Sequence, residues 1–117
     1  MDDASGDRGR MREEVMAEPR VGEPLRPGRF IELEFLEPLG MTPYALAGAI
    51  GVRPPRVYEI VRGDRSITAD TALRFARFFG TSAQYWLNLQ NRYDLQKAEI
   101  EAGEEINRRI EPRTATA

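Results

Sequence analysis

The run Leu46-Ala47-Gly48-Ala49-Ile50-Gly51-Val52, followed by Val57 and Ile60, decides the fold. Ala47 stands four positions before Gly51, and Leu46, Ile50 and Val52 fill the inward sites between them. Two short helices joined by a tight glycine turn need this spacing if they are to cross closely over one core. Ala47 lets the second helix approach, Gly51 can take a positive φ in the turn, and Val57 and Ile60 face back from the second helix. The spacing is that of a helix-turn-helix, whose second helix usually sits in the major groove of DNA. Some ordinary helical hairpins share it, so the motif has to be read together with the charged residues around it.

Outward from that run, start and stop signals recur. Thr42 is a good N-cap, with Pro43 at the first helical position, where a missing N–H costs little. That helix reaches about Ile50, and the next covers about Pro54–Arg62 and ends at Gly63, a left-handed C-cap. Upstream, Phe30, Ile31, Leu33, Phe35 and Leu36 interleave with Glu32, Glu34 and Glu37, and Pro38 to Gly40 stop the segment. Downstream, Thr68 caps a fourth helix with Asp70 in its first turn, favourable to the dipole. Leu73, Phe75, Ala76 and Phe79 carry its apolar stripe, and Gly80 ends it. Thr81 with Gln84 fits a capping box, with Ser82 the alternative cap. The fifth helix runs through Trp86, Leu87, Leu89, Tyr93 and Leu95 and fades beyond Ala98.

The pattern predicts an all-α domain of five helices over residues 27–99, without a convincing strand or internal repeat. Residues 1–26, rich in Asp, Glu, Arg, Gly and Pro, read as a mobile N-terminal tail, with one or two transient turns at Met11–Ala17. Residues 100–117 read as a frayed C-terminal tail.

Composition narrows the function. A chain of 117 residues suffices for one compact domain plus tails. It holds no cysteine, which excludes disulfides and thiolate metal sites, and no histidine, the commonest general base and metal ligand. No cluster of acids sits in an apolar pattern, so no metal or cofactor is expected. Neither a bilayer span nor a signal-peptide core is present, and a soluble, cytoplasmic protein follows as the expectation. The net charge of −2 hides a division: residues 1–25 carry −3, residues 26–92 carry +3 and residues 93–117 carry −2. Affinity for phosphate depends on local charge, because the Debye length is about 8–10 Å at physiological salt.

On a helical wheel Val57, Ile60 and Val61 share one face, and Pro55, Tyr58, Glu59 and Arg62 lie on the other. Arg53 and Arg56 flank the outward face near its N-terminal end. An arginine fork can bond bidentately to guanine or to phosphate, and Glu59 could accept from cytosine. Arg62 and Arg65 follow at the far end, placed for backbone phosphates. Thr42, Ser66 and Thr68, at helix N-termini, offer hydroxyls and amides to anions. Set against this, arginines on a helix face are commonly just solvated, and Glu59, Asp64 and Asp70 partly match these. Pro54-Pro55 removes N–H groups that would otherwise need capping, since Arg53 cannot accept a hydrogen bond.

These residues also carry a resemblance. The blocks Glu34-Phe35-Leu36-Glu37-Pro38-Leu39-Gly40-Met41, Tyr44-Ala45-Leu46-Ala47 and Gly51-Val52 closely resemble the HigA-type antitoxins, a branch of the lambda-repressor-like Xre/Cro helix-turn-helix group. Glu59-Ile60-Val61, Arg65 to Arg74, Phe78 to Ser82, Trp86 to Gln90 and Tyr93-Asp94-Leu95 continue the match, which covers about residues 26–99. The resemblance implies a homodimeric repressor that binds an inverted repeat of double-stranded operator DNA in its own promoter. It further implies a partner toxin, a HigB-type ribosome-dependent mRNA endonuclease, held inactive. Carried over by position, the DNA-facing set is Arg53, Pro55, Arg56, Tyr58 and Arg62, with Thr42, Arg65, Ser66 and Thr68 near phosphates. Tyr44 and Glu59 complete that candidate set. Dimerisation in the family commonly uses the last helix, here Trp86, Leu89, Tyr93 and Leu95. Tyr58, Asp64 and Pro55 depart from the residues common in the family, so an operator sequence does not transfer.

Two other readings stand beside this one. The first is a stand-alone Xre-family transcriptional regulator without a toxin; the second is a protein-interaction module facing its partner with Tyr58 and Glu59. An enzyme is remote, because no nucleophile and base pair can be assembled without histidine or cysteine. The acidic residues Asp2, Asp3, Asp7, Glu13, Glu14 and Glu18 could fold onto a basic endonuclease surface, or could simply solubilise the chain.

Overall fold

The computed structural model describes residues 24–114. The sequence expectations for residues 1–23, including the turns at Met11–Ala17, lie outside the described residues. Among the described residues, five helices build the fold. α1 is one continuous rod made of an α-helix Pro27–Ile31, a π-helical segment Glu32–Leu36 and a final turn Glu37–Leu39. α2 is Pro43–Ile50, α3 is Pro54–Arg62, α4 is Ala69–Phe79 and α5 is Ala83–Arg109. Among the described residues there is no strand.

The helix starts follow side-chain chemistry. Thr42, Thr68 and Ser82 each accept a hydrogen bond from the backbone N–H three residues on, that of Ala45, Thr71 and Tyr85. Ser82 rather than Thr81 therefore caps α5; the Thr81 hydroxyl instead accepts from the indole Nε1 of Trp86 at 2.6 Å. α3 starts without a side-chain cap, and its twin prolines leave fewer amide donors unsatisfied there. The helix-turn-helix turn closes at Gly51, whose φ of 75° only glycine adopts readily, and the Val52 N–H reaches back to the Ala47 carbonyl at 3.0 Å.

α1 ends within the expected Pro38–Gly40 stop, but it is Gly40 that ends it, and Pro38 is taken into the last turn. A proline inside a helix lacks a donor and its ring crowds the carbonyl four residues back. The widened turn at Glu32–Leu36, in which the Glu37 N–H bonds the Glu32 carbonyl five residues back, supplies the room. The helix then ends at Gly40, with φ of 65°.

The core joins Ile31 and Leu36 of α1, Leu46, Ala47 and Ile50 of α2, and Val57, Ile60 and Val61 of α3 to Ile67, Phe75 and Trp86. Val52 is half-buried against it. Trp86 is fully buried, with ring centroids of Phe35, Phe75, Tyr85 and Phe79 between 5.0 and 5.6 Å away. Trp86 is thus a core residue, and its expected place in a dimer interface is corrected: its ring is spent inside its own protomer. Leu73 is also corrected, since it lies 63% exposed while Ala72 and Phe75 face inward.

Two further expectations change at the ends of the fold. Arg26, placed in the mobile tail by the sequence reading, donates from Nη1 to the Arg62 carbonyl at 3.3 Å. α5 extends to Arg109 instead of fading at Ala98, so residues 100–109 are helical rather than frayed. Good helix formers sustain it, with an i,i+4 pair between Glu105 and Arg109.

Candidate nucleic-acid interface

α3 is amphipathic in the sense its sequence demands. Val57, Ile60 and Val61 are buried, while Arg53, Pro55, Tyr58 and Arg62 are exposed and Arg56 and Glu59 half-buried. The scaffold fixes this orientation from behind. The N-terminal turn of α1 lies so close to α3 that a Cβ at Gly28 would stand 2.6 Å from Val61 Cα, and nearer still to the Ile60 and Val61 carbonyl oxygens. Only glycine permits that approach.

The remaining candidate residues surround α3. Thr42 is exposed at the head of α2, and Tyr44, in the first turn, is 66% exposed. Ser66 and Thr68 are exposed on the segment leading into α4, where Thr68 also caps. Of the dimer candidates other than Trp86, Leu89 and Tyr93 are half-buried on α5 and Leu95 is exposed.

Three of the four candidate arginines are paired with carboxylates. Arg56 Nη1 meets Asp70 Oδ2 at 2.7 Å, Arg65 Nε meets Glu59 Oε1 at 2.8 Å, and Arg62 Nε meets Asp64 Oδ2 at 3.1 Å. Arg53 has no carboxylate partner among the described residues. Glu59 is therefore engaged by Arg65 rather than offered freely to a base. The Arg65–Glu59 and Arg62–Asp64 pairs stand alone at the surface, where such an interaction is worth roughly 0–1 kcal/mol, so phosphate can displace those carboxylates at little expense. Each guanidinium also keeps further N–H groups for a ligand.

Sequence reading assigned no site role to Arg74, and to Asp70 only a dipole effect and a share in balancing the arginines. Asp70 Oδ2 accepts from Arg74 Nε at 2.9 Å as well as from Arg56, and Arg74 Nη1 donates to the Ile50 and Gly51 carbonyls at 2.8 and 3.3 Å. The i,i+4 spacing of Asp70 and Arg74 was the available signal. Hydrogen bonds from Arg74 and then Arg56 hold the Asp70 carboxyl below its ordinary 3.8. Its contribution to stability is present above that value and is lost as pH falls through the lowered one.

Beside this network a shallow groove of about 550 Å³ runs between α2 and α4, lined by Ala49, Ile50, Leu73, Arg77 and Phe78 as well as by Asp70 and Arg74. It holds no pairing of nucleophile and base. Among the described residues no group of acids is arranged to hold a metal ion, and no helix is long and apolar enough to cross a membrane.

Comparison with known proteins agrees with this geometry. The helix-turn-helix family model matches residues 33–86. Virulence-associated protein I of Dichelobacter nodosus is 53% identical over 75 residues, which cover 64% of this chain and 69% of that protein. Antitoxin HigA-1 of Vibrio cholerae is 39% identical over 72 residues, covering 62% and 68% of the two chains. The chain belongs to the HigA-type branch of the Xre helix-turn-helix family. The solved HigA-type antitoxin of Pseudomonas aeruginosa with the higBA promoter shares 44% identity and superposes with a TM-score of 0.76, over 79% of this chain and all of that one. HigA-type proteins are antitoxins and regulators rather than enzymes, in keeping with a chain that lacks histidine and cysteine.

Proposed function

We propose that the protein is a homodimeric repressor of its own promoter and the antitoxin that neutralises a HigB-type mRNA endonuclease. The observation that carries the DNA-binding half is the outward face of α3, with Arg53, Arg56 and Arg62 raised on a buried Val57–Ile60–Val61 stripe. The promoter complex of the Pseudomonas aeruginosa relative supports it. Two subunits would present their α3 helices to successive major-groove turns, roughly 34 Å apart. Leu89, Tyr93 and Leu95 of α5 are the dimer contacts in this reading, without Trp86.

A gel shift with the DNA upstream of its own coding sequence tests the interface. Arg56→Ala lowers affinity for that duplex by about tenfold or more and relaxes base preference, as loss of a bidentate base contact does. Arg65→Ala weakens all sequences alike and lowers the salt slope by about one. Both variants binding as the wild type does would exclude α3 as the reader. The toxin half is tested by co-expression with the adjacent reading frame: growth rescue and a stable complex support an antitoxin. A neighbour that is neither toxic nor bound leaves a stand-alone regulator. Full neutralisation by protein lacking residues 1–24 removes the acidic N-terminal segment from the mechanism.

A further inference from the structure

Arg56, in the first turn of α3, is held by a relay that crosses three helices. The carbonyls of Ile50 and Gly51, at the end of α2, accept from Arg74 Nη1 at 2.8 and 3.3 Å. Arg74 Nε donates to Asp70 Oδ2 at 2.9 Å, and the same oxygen accepts from Arg56 Nη1 at 2.7 Å. One end of this chain is the backbone of the helix-turn-helix turn itself. The other is a guanidinium on the outward side of α3.

We infer that Asp70 and Arg74 are positioning residues for DNA readout, setting the direction of the Arg56 guanidinium before any duplex arrives. This rests on the DNA-binding reading of α3 and deepens it. A free arginine has many rotamers to lose on binding, and a fork already aimed loses fewer. Only one of the Arg56 N–H groups is used by Asp70, and the rest of the fork stays available to a base edge. The carboxylate also accepts from both Arg56 and Arg74, so it competes with any phosphate for the Arg56 guanidinium. Base preference should therefore depend on Asp70 although Asp70 itself is an anion that DNA repels.

That opposition of signs makes the inference testable. Removing an acid from a DNA-binding surface by ordinary electrostatics strengthens binding to every sequence. Losing the positioning of Arg56 weakens discrimination between sequences. Fluorescence anisotropy is measured with two duplexes of equal length and composition: the DNA upstream of its own coding sequence and a scrambled version. Asp70→Asn is expected to tighten binding to the scrambled duplex, to lower the promoter-to-scrambled affinity ratio by about tenfold, and to steepen the salt slope by about one as Arg56 moves to a phosphate. Arg74→Lys keeps the net charge, yet its single ammonium cannot fork between carboxylate and carbonyls, so it lowers the same ratio. In an Arg56→Ala background neither substitution changes the ratio further. Melting curves of each variant confirm that the folded protein is compared.

A ratio within twofold of wild type in either single variant overturns the inference, as does an equal loss when Arg56 is already absent. Wild-type protein without any preference for the promoter duplex overturns the DNA-binding reading as well, so the two failures are distinguishable.

Discussion

Replacing Trp86 with alanine is expected to remove roughly half of the fold's stability. The indole is fully buried between α1, α4 and the start of α5, against Phe35, Phe75 and Phe79. Truncating a buried tryptophan costs about 3–5 kcal/mol through lost transfer energy and the cavity left behind. A domain of this size has only about 5–10 kcal/mol in total. The Thr81 hydroxyl, 2.6 Å from the indole nitrogen, would also lose its donor. Thermal unfolding followed by circular dichroism should show a Tm about 20 °C lower. Trp86→Phe keeps most of the packing and should fall by much less. A Trp86→Ala protein that melts like wild type but dissociates into monomers would return this residue to a subunit interface.

Gly28→Ala ranks second, and its effect arises without removing a single contact. The added methyl would collide with the Ile60 and Val61 backbone, which cannot swing aside as a flexible side chain could. Either α1 lifts off α3 or α3 shifts in its bed; overpacking of this kind costs about 3 kcal/mol. The expected drop in Tm is near 15 °C. Because α3 is the displaced partner, promoter affinity should fall together with stability even under conditions where the variant is folded. A variant with unchanged melting would mean that α1 is not seated on α3.

The contrast between these two positions shows what a one-dimensional reading can reach. Caps and stops are local, so Thr42, Gly51, Thr68 and Gly80 mark helix ends in the sequence as they do in the fold. The inward stripe of α3 follows from a 3.6-residue period, and Val57, Ile60 and Val61 are buried as that period requires. Gly28 carries no such signal, since its role depends on a helix more than thirty residues away. Trp86 reads as an apolar residue on an amphipathic helix; which partner covers it, core or second subunit, is decided only by packing. The outer half of α5 has charged residues on every side and a weak period, so its length follows from propensity rather than pattern.

The site divides along the same line. Arg53, Tyr58 and Arg62 reach the surface because periodicity puts them there. The partner of Arg56 is fourteen residues distant on another helix, and only the Asp70–Arg74 half of that network has a sequence spacing that announces it. Pro38 shows the limit of a breaker rule: a π-helical turn five residues wide makes room for it, and the rod continues to Leu39.

Whether the outward face of α3 is what meets DNA is tested most directly by amide chemical-shift mapping. Isotope-labelled full-length protein is titrated with a duplex from upstream of its own coding sequence. Shifts and broadening concentrated at the amides of Arg53 and Arg56–Arg62, with a second group at Ser66–Asp70, are the predicted result. Perturbations confined to α5, with the amides of α3 unmoved at saturation, would contradict it.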